Sequence, residues 1–181
     1  VDTFRKSGSL ITSNTSGIPI HLMSEGRSED FKKHFCGTHF FNPPRYLRLL
    51  EVIPTQDTLP EVIDFFMHYG DHYLGKTTVL CKDTPAFIGN RIGVFAMAKV
   101  FQLTSKYNLR IEEVDALTGP VIGRPKTGTF RLGDLVGHDT SGNVIRGLKA
   151  NCANDEQVSS FEVPPYLDFL LENKFFLYLL L

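Results

Sequence analysis

His39 and Glu51, twelve residues apart, are the two side chains in this sequence best placed to move a proton. His39 stands in Gly37-Thr38-His39-Phe40-Phe41-Asn42-Pro43 and Glu51 in Leu49-Leu50-Glu51-Val52-Ile53, two apolar runs of strand length on either side of an Asn-Pro-Pro turn. A histidine ending one strand and a glutamate within the next can become neighbours across such a turn. A carboxylate beside an imidazole stabilises its protonated form and fixes which ring nitrogen faces a substrate, so the pair can work as a general base near neutral pH. The bland alternative is a histidine satisfied within its own strand.

The runs that hold these residues belong to an alternation of short strands and helices. Residues 10–16, 36–41, 47–53 and 77–83 are apolar or β-branched stretches bounded by Gly, Pro, Asn or Asp, and read as strands. Thr58 to Tyr73 carries Leu59, Val62, Phe65 and Phe66 at helical spacing, with Gly75 placed to end it. The first residues read as the last turn of a helix. After Asp83-Thr84-Pro85 the pattern changes: from Phe87 to about Tyr107 apolar residues fall on several faces, as a buried helix requires. Ile111 to Leu117, Phe130 to Val136 and Pro164 to Lys174 read as short helices joined by Gly-rich turns, and Cys152 to Ser160 as a polar, mobile loop. The expected fold is α/β followed by all-α, with a boundary near Pro85 that divides residues 1–84 from 85–181.

Composition narrows the classes. The 181 residues carry a net charge of -1, with 42% hydrophobic and 22% charged residues, which gives no basic field for nucleic acid. Cys36, Cys81 and Cys152 are too few and too scattered for a disulfide framework or a zinc site, so a reducing, cytoplasmic setting and no metal are expected. No run reaches the roughly 20 apolar residues of a membrane span, and no export signal is visible. The opening without methionine and the closing run Phe175-Phe176-Leu177-Tyr178-Leu179-Leu180-Leu181 read as the cut ends of a fragment.

The order of motifs resembles the 3-hydroxyacyl-CoA dehydrogenases. His39-Phe40-Phe41-Asn42-Pro43, Leu50-Glu51-Val52-Ile53 and Asp83-Thr84-Pro85-Ala86-Phe87-Ile88-Gly89-Asn90-Arg91 match that family's pattern in sequence, and Ser13-Asn14-Thr15-Ser16 looks like its strand end upstream. The similarity runs from about residue 10 to 140. It implies the C-terminal part of a Rossmann-like NAD-binding domain followed by a helical substrate and dimerisation domain. Carried over residue by residue, it implies His39 as general base and Glu51 as its orienting partner. Ser16 and Asn90 would hold the reacting part of an acyl-CoA substrate, and Asn14 and, more weakly, Asn42 would face NAD. The reaction implied is oxidation of (S)-3-hydroxyacyl-CoA to 3-ketoacyl-CoA in fatty-acid β-oxidation, by a homo-oligomer built through the helical domain. His21, His34, His68, His72 and His138 match no catalytic position and read as surface or packing residues.

Three departures qualify the resemblance. The G-x-G-x-x-G dinucleotide fingerprint is absent, so the chain alone is expected to bind NAD poorly and to be inactive. Ala86 replaces a customary glycine, and the turn Gly123 to Phe130 is one residue longer than usual. The longer turn and the segment Phe161 to Lys174 look more like the multifunctional proteins in which the dehydrogenase is fused to an enoyl-CoA hydratase domain. Two rival readings stay open: a dehydrogenase of another hydroxy acid, most of which use lysine as base, and a non-catalytic helical dimerisation or scaffold module.

Overall fold

The computed structural model describes residues 1–173, which fall into two compact units, Val1–Asn90 and Arg91–Leu181. The apolar closing run lies outside the described residues.

The first unit is built on a mixed sheet. Strands β1 (Ile11–Ser13), β2 (Phe35–Phe40), β3 (Leu49–Pro54) and β4 (Thr77–Leu80) lie side by side in chain order. The β1–β2 and β3–β4 pairs are parallel and the β2–β3 pair antiparallel. Two consecutive strands can run antiparallel because the connection from Phe41 to Arg48 is short, whereas a parallel pair needs a crossover. Helices α1 (Ile20–Ser24) and α2 (Glu29–Lys33) make one crossover and α3 (Pro60–His72) the other.

Each crossover covers one face of the sheet. Phe35 and Ile53 meet Ile20 of α1, Phe31 of α2 and Phe87 in a buried cluster, so this face is closed by α1, α2 and the segment after β4. Opposite it, Gly70 of α3 comes so close that an added Cβ would lie 2.3 Å from Cγ2 of Thr78 and 2.9 Å from Cδ2 of Leu50. Cover on both faces explains why β2 and β3 are buried almost continuously rather than at alternate residues.

Helices α1 and α2 carry no strong sequence signal at five residues each, and both are held by caps. Ser28 accepts a hydrogen bond from Phe31 N (3.2 Å), while Asp83 accepts from Ile20 N (2.9 Å) and His21 N (2.8 Å). Asp83, the first residue of the Asp-Thr-Pro motif, therefore secures α1. At the start of the chain a single turn closes with Arg5 N bonding Val1 O at 3.0 Å.

Helix α4 (Gly89–Lys106) begins at the end of the first unit and continues through the second, which holds α5 (Ile111–Thr118), α6 (Phe130–Val136), α7 (His138–Asn151) and α8 (Pro165–Glu172). Its core centres on Phe101, Phe130, Phe161, Ile145 and Leu167, each no more than 1% exposed. Burying one such side chain contributes roughly 1.5–3 kcal/mol. His138 lies in this core, Nε2 3.1 Å from Oδ1 of Asp134, with Phe101 and Phe130 beside it.

Three expectations change here. Helix α4 is not buried all round, since Ile92 is 64% exposed. Helix α7 appears where Gly142, Gly147, Thr140 and Ser141 give little helical propensity; its Ile145 and Leu148 are buried, and packing supplies what propensity lacks. The segment Cys152 to Ser160 is anchored rather than loose: Asp155 pairs with Arg91, residues 158–160 form a 3-10 turn, and Cys152 and Ser160 are buried.

Candidate active site

His39 and Glu51 are directly opposed in the β2–β3 register, so their side chains leave the sheet on the same face as Phe35 and Ile53. His39 Nδ1 lies 2.7 Å from Glu51 Oε2, with His39 4% and Glu51 0% exposed. The other carboxylate oxygen, Oε1, accepts hydrogen bonds from the backbone N–H groups of Ile88 (3.0 Å) and Gly89 (2.7 Å). Phe41 and Phe87 flank the imidazole, with ring centroids 4.6 Å and 5.5 Å from it.

This arrangement decides the charge on Glu51 and the tautomer of the His39 ring when it is neutral. Burial pushes the Glu51 carboxyl upward, but the hydrogen bonds from His39, Gly89 and Ile88 outweigh it and hold the group below its ordinary value. Glu51 is then an ionised acceptor without a proton to donate, so Nδ1 of His39 carries the hydrogen. Nε2 of the neutral ring is left with its lone pair, and among the described residues nothing hydrogen-bonds it. The pair therefore presents one basic nitrogen of fixed tautomer.

Cys81, after β4, is a neighbour of Glu51 that no motif in the sequence marks. Burial, followed by the charge on Glu51, raises its thiol to about 12, so it stays protonated beside the carboxylate. Only the tertiary fold brings the two together, although Cys81 lies at the end of an apolar strand run.

The remaining candidates fall at ends of elements in the same unit. Asn14 directly follows β1, and its Oδ1 accepts a hydrogen bond from Phe40 N (2.9 Å), tying this end of β1 to β2 one residue beyond His39. Ser16 is exposed, and the hydroxyl that organises its turn is Thr15, which accepts from Ile18 N (3.1 Å). Asn90 is half-buried in the first turn of α4. Among the described residues neither the Ser16 nor the Asn90 side chain is engaged in a hydrogen bond, so neither serves as a local cap. Asn42 is exposed and precedes a cis peptide bond to Pro43. The structure thus joins His39 to Glu51 by a hydrogen bond, ties Asn14 to the backbone of Phe40 next to His39, and leaves the side chains of Ser16, Asn90 and Asn42 outside these bonds. No group of three or more His, Cys, Asp or Glu suited to a metal ion occurs among the described residues.

Residues 1–84 match the family model for the 3-hydroxyacyl-CoA dehydrogenase NAD binding domain, and residues 87–176 match that for the 3-hydroxyacyl-CoA dehydrogenase C-terminal domain. The chain belongs to the 3-hydroxyacyl-CoA dehydrogenase family. Its first unit is accordingly part of an NAD-binding domain, and its helical unit the family's C-terminal domain.

Within this family the chain is 49% identical over 172 residues to a Bacillus subtilis protein named "Probable 3-hydroxyacyl-CoA dehydrogenase", covering 95% of this chain and 22% of that protein. To the mitochondrial hydroxyacyl-coenzyme A dehydrogenase of Sus scrofa it is 34% identical over 180 residues, covering 97% of this chain and 54% of the relative. Its fold matches the crystal structure of (S)-3-hydroxybutyryl-CoA dehydrogenase from Ralstonia eutropha with a TM-score of 0.83 at 25% identity, over 96% of this chain and 58% of that one. The chain therefore spans between about a fifth and three fifths of these family members. None of its described helices is long and apolar enough to cross a membrane.

Proposed function

We propose that this chain carries the proton-transfer apparatus of an NAD-dependent (S)-3-hydroxyacyl-CoA dehydrogenase. The observation that carries the reading is the buried His39–Glu51 pair, 2.7 Å apart, with a single basic nitrogen, in a chain that matches both domains of the family. Nε2 of His39 takes the proton of the C3 hydroxyl as the C3 hydride departs, and C3 is left as a ketone. Glu51 holds the ring in its tautomer and stabilises the imidazolium that forms. Ser16 and Asn90 orient the substrate oxygen with groups that do not compete for the proton. NAD, when bound, supplies the hydride acceptor.

The fit to NAD is partial. Exposed Asn14 follows β1 and exposed Asn42 lies just beyond β2, the strand that carries His39, an arrangement suited to the nicotinamide end of the cofactor. No strand-to-helix turn of this chain has the G-x-G-x-x-G pattern that cradles a pyrophosphate. The reading therefore assigns the proton chemistry to this chain and the phosphate site to additional sequence in a longer parent. The 22% coverage of the Bacillus relative supports such a parent, and fusion to a hydratase belongs to the same proposal.

The decisive experiment is turnover of 3-hydroxyacyl-CoA by a parent protein that contains this chain, with and without His39→Ala. Loss of at least about 10²-fold in kcat is expected for removing a general base. An unaffected kcat, or no oxidation of any acyl-CoA by the unaltered parent, would remove the assignment in favour of a scaffold module.

A further inference from the structure

We propose that the backbone of Ile88 and Gly89 is a positioning element of the acid–base pair, a clamp that keeps Glu51 charged and oriented toward His39. The proposal deepens the reading of His39 and Glu51 as base and partner, and rests on it. Its ground is the division of labour between the two carboxylate oxygens: Oε2 faces His39 Nδ1 at 2.7 Å, while Oε1 receives both backbone N–H groups, at 3.0 Å and 2.7 Å. Glu51 is fully buried, so these donors replace water around Oε1.

The path of the linker between β4 and α4, residues 81–88, supports a specialised role. Ala86 and Phe87 have φ of 61° and 50°, two consecutive left-handed residues that are not glycine. Strained backbone of this kind persists where the surroundings over-determine it. Here the contortion brings two successive N–H groups to one anionic oxygen, a concave arrangement of backbone donors suited to negative charge. The linker also encloses the imidazole. Phe87 lies against one side of His39, and Gly89 leaves the room that Phe41 occupies, since a Cβ there would fall 2.6 Å from Cζ of Phe41.

Among the described residues the titratable groups facing Glu51 are His39 from β2 and Cys81 from the end of β4. Cys81 remains a thiol throughout the range in which a carboxyl titrates, with a value of about 12, so it does not obscure the measurement. The linker donors favour the charged carboxyl. Losing one must raise the pH at which Glu51 takes up a proton, and with that proton His39 loses its anionic partner.

The test is an NMR titration of the Glu51 side-chain carboxyl in the 181-residue chain, with Ile88→Pro and Ile88→Ala as variants. Proline removes the N–H and is tolerated ahead of a helix, whereas alanine keeps the N–H; Ile88 is 41% exposed, so either change loses little packing. The expected result is a midpoint raised by roughly one pH unit in the proline variant and unchanged in the alanine variant. Identical titrations of these two folded variants would overturn the clamp. Proline also restricts Phe87 before it, so a second readout needs no substitution: the amide proton shifts of Ile88 and Gly89 should move with the Glu51 midpoint. Amides that ignore that midpoint overturn the proposal even if the proline variant does not fold. A clamp seen by NMR beside a parent without dehydrogenase activity would leave the clamp standing and remove the catalytic reading; the reverse pair of results would do the opposite.

Discussion

Glu51 carries three hydrogen bonds on two oxygens, and their directions make a specific prediction. Glu51→Gln can keep its carbonyl oxygen toward Ile88 and Gly89, which turns its NH2 group toward His39. Nδ1 must then accept, the ring proton moves to Nε2, and the lone pair that takes the substrate proton is gone. In an active parent the variant should lose about 10²–10⁴-fold in kcat with little change in KM, because the lost interaction belongs to proton transfer rather than to binding. Steady-state kinetics at saturating NAD and acyl-CoA check this. Retained kcat would mean that the tautomer does not matter and that Glu51 is only structural.

The register of β2 against β3 is what brings His39 and Glu51 together. Slipping it by one residue would turn Glu51 to the opposite face, so the devices that fix the register are part of the site. On the opposite face, the strand that carries Glu51 is backed by the close seat of α3 on β3 and β4, which depends on Gly70. Gly70→Ala would place its Cβ 2.3 Å from Thr78 Cγ2 and 2.9 Å from Leu50 Cδ2. It should destabilise the first unit by about 1–3 kcal/mol, less any gain in helix propensity, as read from denaturant unfolding of the chain. Gly75→Ala is not an equivalent control, because Gly75 has a φ of 63° and a side chain there is strained whatever the space around it. An unchanged midpoint for Gly70→Ala would mean that α3 shifts freely on the sheet.

For the whole molecule, the unit Val1–Asn90 contains both members of the pair and the segment that bonds Glu51, whereas the sequence contains no G-x-G-x-x-G pattern. The expected outcome of titrating the 181-residue chain with NADH, followed by calorimetry or nucleotide fluorescence, is weak or undetectable binding. Tight stoichiometric binding would show that another set of backbone donors holds the pyrophosphate. The second unit contributes a core of aromatic side chains and a buried His138–Asp134 pair.

Local sequence was enough for the general order of strands and helices, because a closely packed sheet demands apolar runs and its turns demand Gly, Pro and Asn. It offered His39 and Glu51 as possible neighbours across a short turn, and the order of family-like motifs around them singled them out. It could not reveal α7, whose helix depends on buried Ile145 and Leu148 rather than on propensity, nor the caps that Asp83 and Ser28 provide for α1 and α2. Cys81 beside Glu51, and the N–H groups of Ile88 and Gly89 on its second oxygen, lie 30 or more residues from it along the chain. Backbone donors have no residue-type signature, and their direction depends on the torsion angles of Ala86 and Phe87. The pair proposed for proton transfer was therefore legible in the sequence, whereas the charge on Glu51 and the tautomer of His39 were decided by tertiary contacts that replace water around a buried carboxylate.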